Sequence, residues 1–308
     1  MEDRTIKTQT IYNLEASRIG LGAMRYAAKG TQHIQELIEA AHALGYNFFD
    51  HADIYGDGQA EQVFGDALKA SSVKREDIIL QSKAGIQYRA YNFDPQHLVT
   101  QIEQSLKKLG TDYLDIFLLH RPDTLMEPEL IAEAFDKLES QGKVRHFGVS
   151  NFNPMQIEML QSVVKQELKV NQVQISLEHT LLFDEELSFN VRSELNTHRS
   201  GYLMSYARMK GITLQAWSPL QYGAIHGDFI TDPQSETLSD KMEELAGKYD
   251  CTPAAIALAW LLRHPAGIQP ILGSTSVKHI TEAKQAQAIE LTRHEWYDLY
   301  LSGGKQLP

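Results

Sequence analysis

The sequence predicts an α/β chain, and within that class a closed (β/α)8 TIM barrel with an N-terminal β-hairpin and long loops at its C-terminal face. Short apolar runs beginning at Ile19, Tyr46, Asp77, Asp115, Val144, Val170, Ile212 and Ile268 read as strands, and each is followed by residues at helical spacing. About eight such units in roughly 290 residues are what the barrel requires. No linker, repeat or low-complexity segment interrupts them, so residues 1–308 are expected to form a single domain. An open doubly wound sheet shares the alternation and stays the competitor.

Taken in order, Thr5 to Ile11 alternates, and with a run from Arg18 to Leu21 after Asn13 it reads as the hairpin leading into the first strand. Gly20-Leu21-Gly22 begins like a dinucleotide fingerprint, but Arg25 stands where its third glycine belongs. Thr31 is placed to cap a helix through Ile34, Leu37, Ile38 and Ala41, with Gly45 to end it. A second helix carries Ala60, Val63, Phe64, Ala67 and Leu68, and Asp94-Pro95 opens a third with cap-then-proline chemistry. Further helices are expected from Pro128, from Asn153-Pro154, over Tyr202–Met209, Leu238–Tyr249 and Pro253–Arg263, and from Lys278 to Ala286. The stretches 182–201 and 221–237 exceed ordinary loop length, which marks them as functional candidates.

Composition excludes several classes. Lys and Arg total 29 against 40 Asp and Glu, and the net charge of −11 argues against nucleic acid and anionic membrane surfaces as partners. One cysteine, Cys251, allows neither an intrachain disulfide nor a cysteine metal cluster, as in a reducing compartment. The N-terminus has no apolar h-region, and the longest apolar run, Ala254 to Leu262, is about half a membrane span. A cytoplasmic location is expected, with no obligate protein partner.

The chemistry is expected at the strand ends. The run Phe48-Phe49 closes on Asp50, with Tyr55 five residues on; Ile78-Ile79-Leu80 delivers Lys83, and Ile116 to Leu119 delivers His120. Singly these residues have bland readings: a strand-end Asp caps, a Tyr fills the core, and a His is satisfied in its loop. Lys83 differs, because an ammonium ending so apolar a run must be paired or neutralised, and Asp50 on the adjacent strand is its natural partner. In a TIM barrel the catalytic residues sit at the C-terminal strand ends. There Lys83, held cationic by Asp50, is expected to lower the pKa of Tyr55, while His120 orients a carbonyl oxygen. Protonating that oxygen as hydride reaches carbon is carbonyl reduction. A metal site from His51, Asp53 and His120 lacks helical ligand spacing, so no metal is expected. An aldolase or isomerase using Lys83 as a Schiff base is a further reading.

The stretches Asp50 to Gly56, Gln81-Ser82-Lys83, Leu118 to Asp123, Gly142 to Phe152, Asn171-Gln172-Val173, Ala216 to Leu220 and Ile271 to Ser274 together resemble an aldo-keto reductase over essentially the whole chain. Within that family the chain resembles bacterial reductases that in turn resemble potassium-channel β subunits. The resemblance implies that Asp50, Tyr55, Lys83 and His120 are the catalytic tetrad with Tyr55 the proton donor. It implies that Ser150, Asn151 and Gln172 contact the nicotinamide carboxamide and that Trp217 lies under the ring. Ser218 and Leu220 match the pyrophosphate loop, and Gly273, Ser274, Thr275, His279 and Glu282 the adenosine end. Gly273 stands where many members place a phosphate-binding lysine, and His279 at an arginine position. A helix opening near Lys278 still offers N–H groups to an anion. NADP(H) is therefore the expected cofactor, with NAD(H) the alternative, and a small-molecule carbonyl the substrate. A cofactor-binding regulatory subunit with little turnover is the alternative function.

Overall fold

A computed structural model describes residues 7–191, 200–223 and 226–308. The hairpin pairs β1 (Thr8–Ile11) with β2 (Leu14–Ser17), turning at Tyr12, whose φ is 56°. Its second arm precedes the expected Arg18–Leu21 run. Ser17 hydrogen-bonds Asn47 and the Ile19 carbonyl, which ends the arm and releases β3 (Gly20–Gly22) to pair with the next strand. The chain continues through α1 (Thr31–Ala43), β4 (Phe48–Asp50), α2 (Ala60–Ala70) and β5 (Ile79–Ala84). The small hairpin β6 (Ile86–Gln87) and β7 (Ala90–Tyr91), which the sequence pattern did not suggest, precedes α3 (Pro95–Leu109) and β8 (Leu114–Leu119). Then come α4 (Pro128–Ser140), β9 (Val144–Ser150), α5 (Pro154–Gln161) and β10 (Leu168–Gln174).

The rest is α6 (Leu181–Leu187), α7 (Leu203–Lys210), β11 (Thr213–Trp217), α8 (Glu236–Tyr249), α9 (Pro253–Arg263), β12 (Gln269–Leu272), α10 (Val277–Lys284) and α11 (Arg293–Ser302). Eight strands close into a barrel in the order β10, β11, β12, β3, β4, β5, β8, β9. These are the eight runs expected from the sequence. Among the described residues no helix is long and apolar enough to cross a membrane. The chain divides into two compact units, Met1–Gln172 with Gly273–Val277, and Val173–Leu272 with Lys278–Pro308.

In the first unit the helix starts follow their chemistry. Asp94 caps α3 by accepting from Gln96 and His97, and Asn153 forms a full capping box with Gln156 on α5. Thr31 does not cap α1: Gly30 takes that place at φ 78°, a conformation glycine adopts without strain, and Thr31 is the first helical residue. At the N-terminal strand ends, Asp115 of β8 accepts from Arg75 at 2.7 Å, Arg145 at 3.0 Å and the Leu80 N–H at 2.9 Å. Both guanidinium groups lie over the Tyr113 ring, at 4.0 and 3.7 Å. That cluster ties β5, β8 and β9 together at the end remote from Lys83.

In the second unit, α6 occupies the start of the expected 182–201 loop, and α8 begins at Glu236, inside the expected 221–237 loop. Residues 192–199 and 224–225 lie outside the described residues. The C-terminal segment is the helix α11, announced by a capping box between Thr292 and Glu295. It buries Trp296 against Trp260, rings stacked at 4.8 Å, each indole N–H donating 3.0 Å to the other's backbone carbonyl.

Candidate active site

Strand alternation decides which way each residue of β5 faces. Ser82 donates to Glu61 of α2 at 2.7 Å, so Gln81 and Lys83 point to the opposite face, the barrel interior. Lys83 is fully buried, and its ammonium donates to Asp50 Oδ1 and Oδ2, both at 2.8 Å, to the His51 carbonyl at 2.9 Å and to the Tyr55 hydroxyl at 3.0 Å. Asp50 Oδ1 also accepts from Gln81 at 2.6 Å and from Gln172 at 3.0 Å. A buried ion pair is kept ionised by such additional bonds.

Tyr55 is pinned by its loop. Gly56 follows at φ 58°, and a methyl group there would collide with Ala27, so only glycine lets the loop lie this close. The ring of His120 stands edge-on to Tyr55, centroids 6.1 Å apart, and its Nδ1 has no partner among the described residues. Burial, then Lys83 and Arg121, hold the His120 pKa well below the ordinary value, so the ring is neutral at pH 7. Burial alone would lower the Lys83 pKa, but Asp50 and Tyr55 outweigh it and raise it. For Tyr55 the expected lowering is not found. Burial raises the phenol pKa by more than Lys83 pulls it down. The hydroxyl is thus a protonated group beside a permanent cation, and the lysine stabilises the phenolate that proton release would create.

Asn151 follows β9 in the left-handed region at φ 63°, and its amide donates to the Ser150 hydroxyl at 2.8 Å and the His120 carbonyl at 3.4 Å; Ser150 in turn donates to the Gln172 carbonyl at 2.8 Å. One network therefore joins Asp50, Tyr55, Lys83, Ser150, Asn151 and Gln172. Two amides and a hydroxyl at strand ends offer both donors and acceptors, the set that a carboxamide needs. Gln172 also bonds Asp50 directly, a contact unforeseen in the sequence.

Gly273, Ser274 and Thr275 leave the end of β12 partly exposed. Arg25 donates to the Gly273 carbonyl at 3.1 Å, and a Cβ at position 273 would lie 2.7 Å from its Nη1. The residue that spoils the glycine fingerprint is thus the cation resting on Gly273. His33 of α1 bonds the Thr275 carbonyl at 2.7 Å. In the second unit, Trp217 ends β11 partly exposed, Ser218 follows at φ 51° and Leu220 is partly buried. Also there, His279 is exposed on α10, and Glu282 lies 3.7 Å from Lys278.

Sequence reasoning missed Gln81 and Arg25. Gln81 was findable, two residues before Lys83 and so on the same strand face; nothing local marks Arg25, 248 residues from its partner. His51 is fully buried with its ring edge-on to Phe64 at 4.5 Å. Among the described residues no group of three or more His, Cys, Asp or Glu could hold a metal ion.

A closed barrel of eight parallel strands with a buried lysine–carboxylate pair and a part-buried tyrosine at its C-terminal strand ends defines a (β/α)8 protein of the enzyme type, its polar cluster where such barrels carry their chemistry. The sequence model of the Aldo/keto reductase family matches residues 18–299, and the chain belongs to that family. It is 37% identical over 295 residues to oxidoreductase YdhF of Escherichia coli, covering 92% of each chain. It is 34% identical over 308 residues to a 6-dehydroglucose reductase of Agrobacterium fabrum, covering 96% of this chain and 97% of that protein. Among solved structures, the thermostable aldo-keto reductase Tm1743, crystallised with the inhibitor epalrestat, superposes with a TM-score of 0.79 at 27% identity over 96% of this chain and 99% of that one. An aldo-keto reductase from Klebsiella pneumoniae, crystallised with NADPH, gives 0.74 at 26% identity over 97% and 94%. The chain is an NAD(P)H-dependent oxidoreductase.

Proposed function

We propose that residues 1–308 act as one domain that reduces an aldehyde or ketone to the alcohol with NADPH, Tyr55 donating the proton. The observation that carries this is the Lys83 ammonium, held 2.8 Å from both Asp50 oxygens and 3.0 Å from the Tyr55 hydroxyl. The bound nicotinamide supplies the hydride, which goes to the carbonyl carbon. Neutral His120 directs its ring N–H at the substrate oxygen and fixes its approach. Tyr55 gives its proton to that oxygen, Lys83 stabilises the resulting phenolate, and solvent restores the proton. One hydride and one proton are thereby added across the carbonyl to give the alcohol.

Ser150, Asn151, Gln172, Trp217, Ser218, Leu220, Gly273, Ser274, Thr275, His279 and Glu282 are the residues proposed to hold the cofactor. The NADPH complex of the Klebsiella enzyme supports the phosphorylated form over NADH. Substrates are small carbonyl compounds, and 6-dehydroglucose, from the name of the Agrobacterium relative, belongs in any panel.

The test is Tyr55→Phe assayed by NADPH oxidation and by cofactor titration. The hydroxyl acts only as hydride moves, so turnover should fall by about a hundredfold or more while cofactor affinity stays within a few-fold. If the variant keeps more than about a tenth of the rate, another group is the acid.

A further inference from the structure

A cavity of about 260 Å³ opens in the second unit beside the C-terminal turns of α7 and α9 and the first turn of α11. Its aromatic wall is Phe183, Trp296 and Tyr297, and Arg208, Arg263 and Arg293 line it too. Because α7 and α9 run into the N-terminal ends of β11 and β12, it lies at the opposite end of β11 from Trp217.

The wall is stiff. Trp296 is locked to Trp260 by the stack and the paired N–H bonds, and Phe183 stands edge-on to both at 5.5 and 4.9 Å. The arginines are exposed, and none has a carboxylate within 4.0 Å among the described residues. Only Arg263 has a described hydrogen bond, from Nε to the Leu291 carbonyl at 2.9 Å. One acid, Glu186, lines the cavity, and it and the neighbouring acids are hydrogen-bonded to other groups. Glu186 accepts from the Ser205 N–H at 3.0 Å and its hydroxyl at 2.7 Å, Asp184 from Tyr300 at 2.8 Å, and Glu295 from Lys248 at 2.5 Å and Tyr249 at 2.9 Å.

Helix electrostatics explains two of the three cations. Arg208 and Arg263 sit in last turns, where a positive charge faces free carbonyls; Arg293 opens α11, where the dipole opposes it. His264, also in the lining, accepts from the Ala266 N–H through Nδ1 at 3.3 Å, so its neutral ring carries the proton on Nε2. Burial, then Arg208 and Arg263, pull its pKa down to about 4, so that state holds at pH 7.

We propose that this cavity binds a small aromatic anion, its oxyanion gripped by the arginines and its ring laid against the aromatic wall, of which Tyr297 is the partly exposed member. Guanidinium forks match the two oxygens of a carboxylate or phosphate, and an aromatic wall takes a planar apolar body. The volume is just below the range of about 300–1,000 Å³ for ligand pockets, which suits one substituted benzene ring and excludes a dinucleotide. In a chain of net charge −11, three arginines with no carboxylate within 4.0 Å among the described residues are a local exception to the surface, and the selectivity for anions is theirs.

Calorimetric titration of the full chain with 4-nitrobenzoate, 4-nitrophenyl phosphate and neutral 4-nitrobenzyl alcohol tests this, and tryptophan quenching by the nitroaryl group reports contact. At least one anion should bind, with the alcohol about tenfold weaker or more; whether carboxylate or phosphate binds tighter identifies the oxyanion. The double variant Arg208→Gln/Arg293→Gln should weaken anion binding tenfold or more. Arg293→Lys, which keeps the charge and loses the fork, should cost less than the double variant. Unaltered tryptophan emission without ligand establishes that the variants are folded, and if the double variant fails that check, Arg293→Gln against Arg293→Lys decides. No binding by either anion, equal binding of the alcohol, or unchanged affinity in the glutamine variants would overturn the proposal.

Discussion

Replacing Lys83 by Met removes the charge while keeping most of the side-chain volume, so the loss is electrostatic. Two unit charges 3.0 Å apart, the Lys83–Tyr55 separation, attract by about 5 kcal/mol at an effective dielectric constant near 20. A transition state with half a charge on the phenol oxygen would forfeit about half of that, and full phenolate character all of it. At 1.36 kcal/mol per tenfold, kcat/KM should fall by about two to four powers of ten. The variant also strands Asp50, which is 2% exposed and keeps only the Gln81 and Gln172 amides, so stability should drop by about 3–5 kcal/mol. Steady-state kinetics, urea unfolding and the Lys83→Met/Tyr55→Phe double variant form the assay. Both residues serve one proton transfer, so the double variant should be little slower than either single one. Losses that multiply would refute the coupling and assign Lys83 to another step.

Two further outcomes follow. Asp53 is 8% exposed beside Glu61, one of its oxygens has no described partner, and burial, then Glu61, raise its pKa from 3.8 to about 7. Between those values the unfolded chain has released a proton that the folded one retains, so the folded state loses stability as pH rises from near 4 to about 7. Asp53→Asn removes that loss: its stability relative to the wild type, from urea unfolding at several pH values, should climb by up to a few kcal/mol over that window and then level off. A pH-independent difference counts against it. For Trp217→Ala, most of the tryptophan quench produced by NADP⁺ should vanish and affinity fall by about 0.5–1.5 kcal/mol or more, the scale of an aromatic pair. A full quench at unchanged affinity would take Trp217 out of the cofactor site.

The eight strands were legible because each is a short apolar run between helix signals, and the tetrad because a charged or phenolic side chain at the end of such a run has few other reasons to be there. What escaped notice was mostly long-range. Gln172 reaches Asp50 across 122 residues and Arg25 reaches Gly273 across 248, and no local period encodes either. The direction of the Tyr55 shift was misread because pairwise charge is visible in a motif, whereas the depth of burial that outweighs it belongs to the folded loop. The helix α11 lies beyond the last helix expected from the pattern, and its one local signal is the capping box of Thr292-Arg293-His294-Glu295.

The cluster of Arg75, Tyr113, Asp115 and Arg145 sets terms for laboratory evolution of this chain. It fastens three neighbouring strands at the ends where no chemistry is expected, and it shares no side chain with the network around Lys83. Mutations at the two places should therefore combine nearly additively. A library that randomises residues following β4, β5, β8 and β9 can spend its tolerance on new substrates as long as these four residues are left alone. The same library built on an Arg145→Ala parent would lose members to unfolding before their activity could be seen, and the shortfall in folded clones would measure how much evolvability this remote anchor confers.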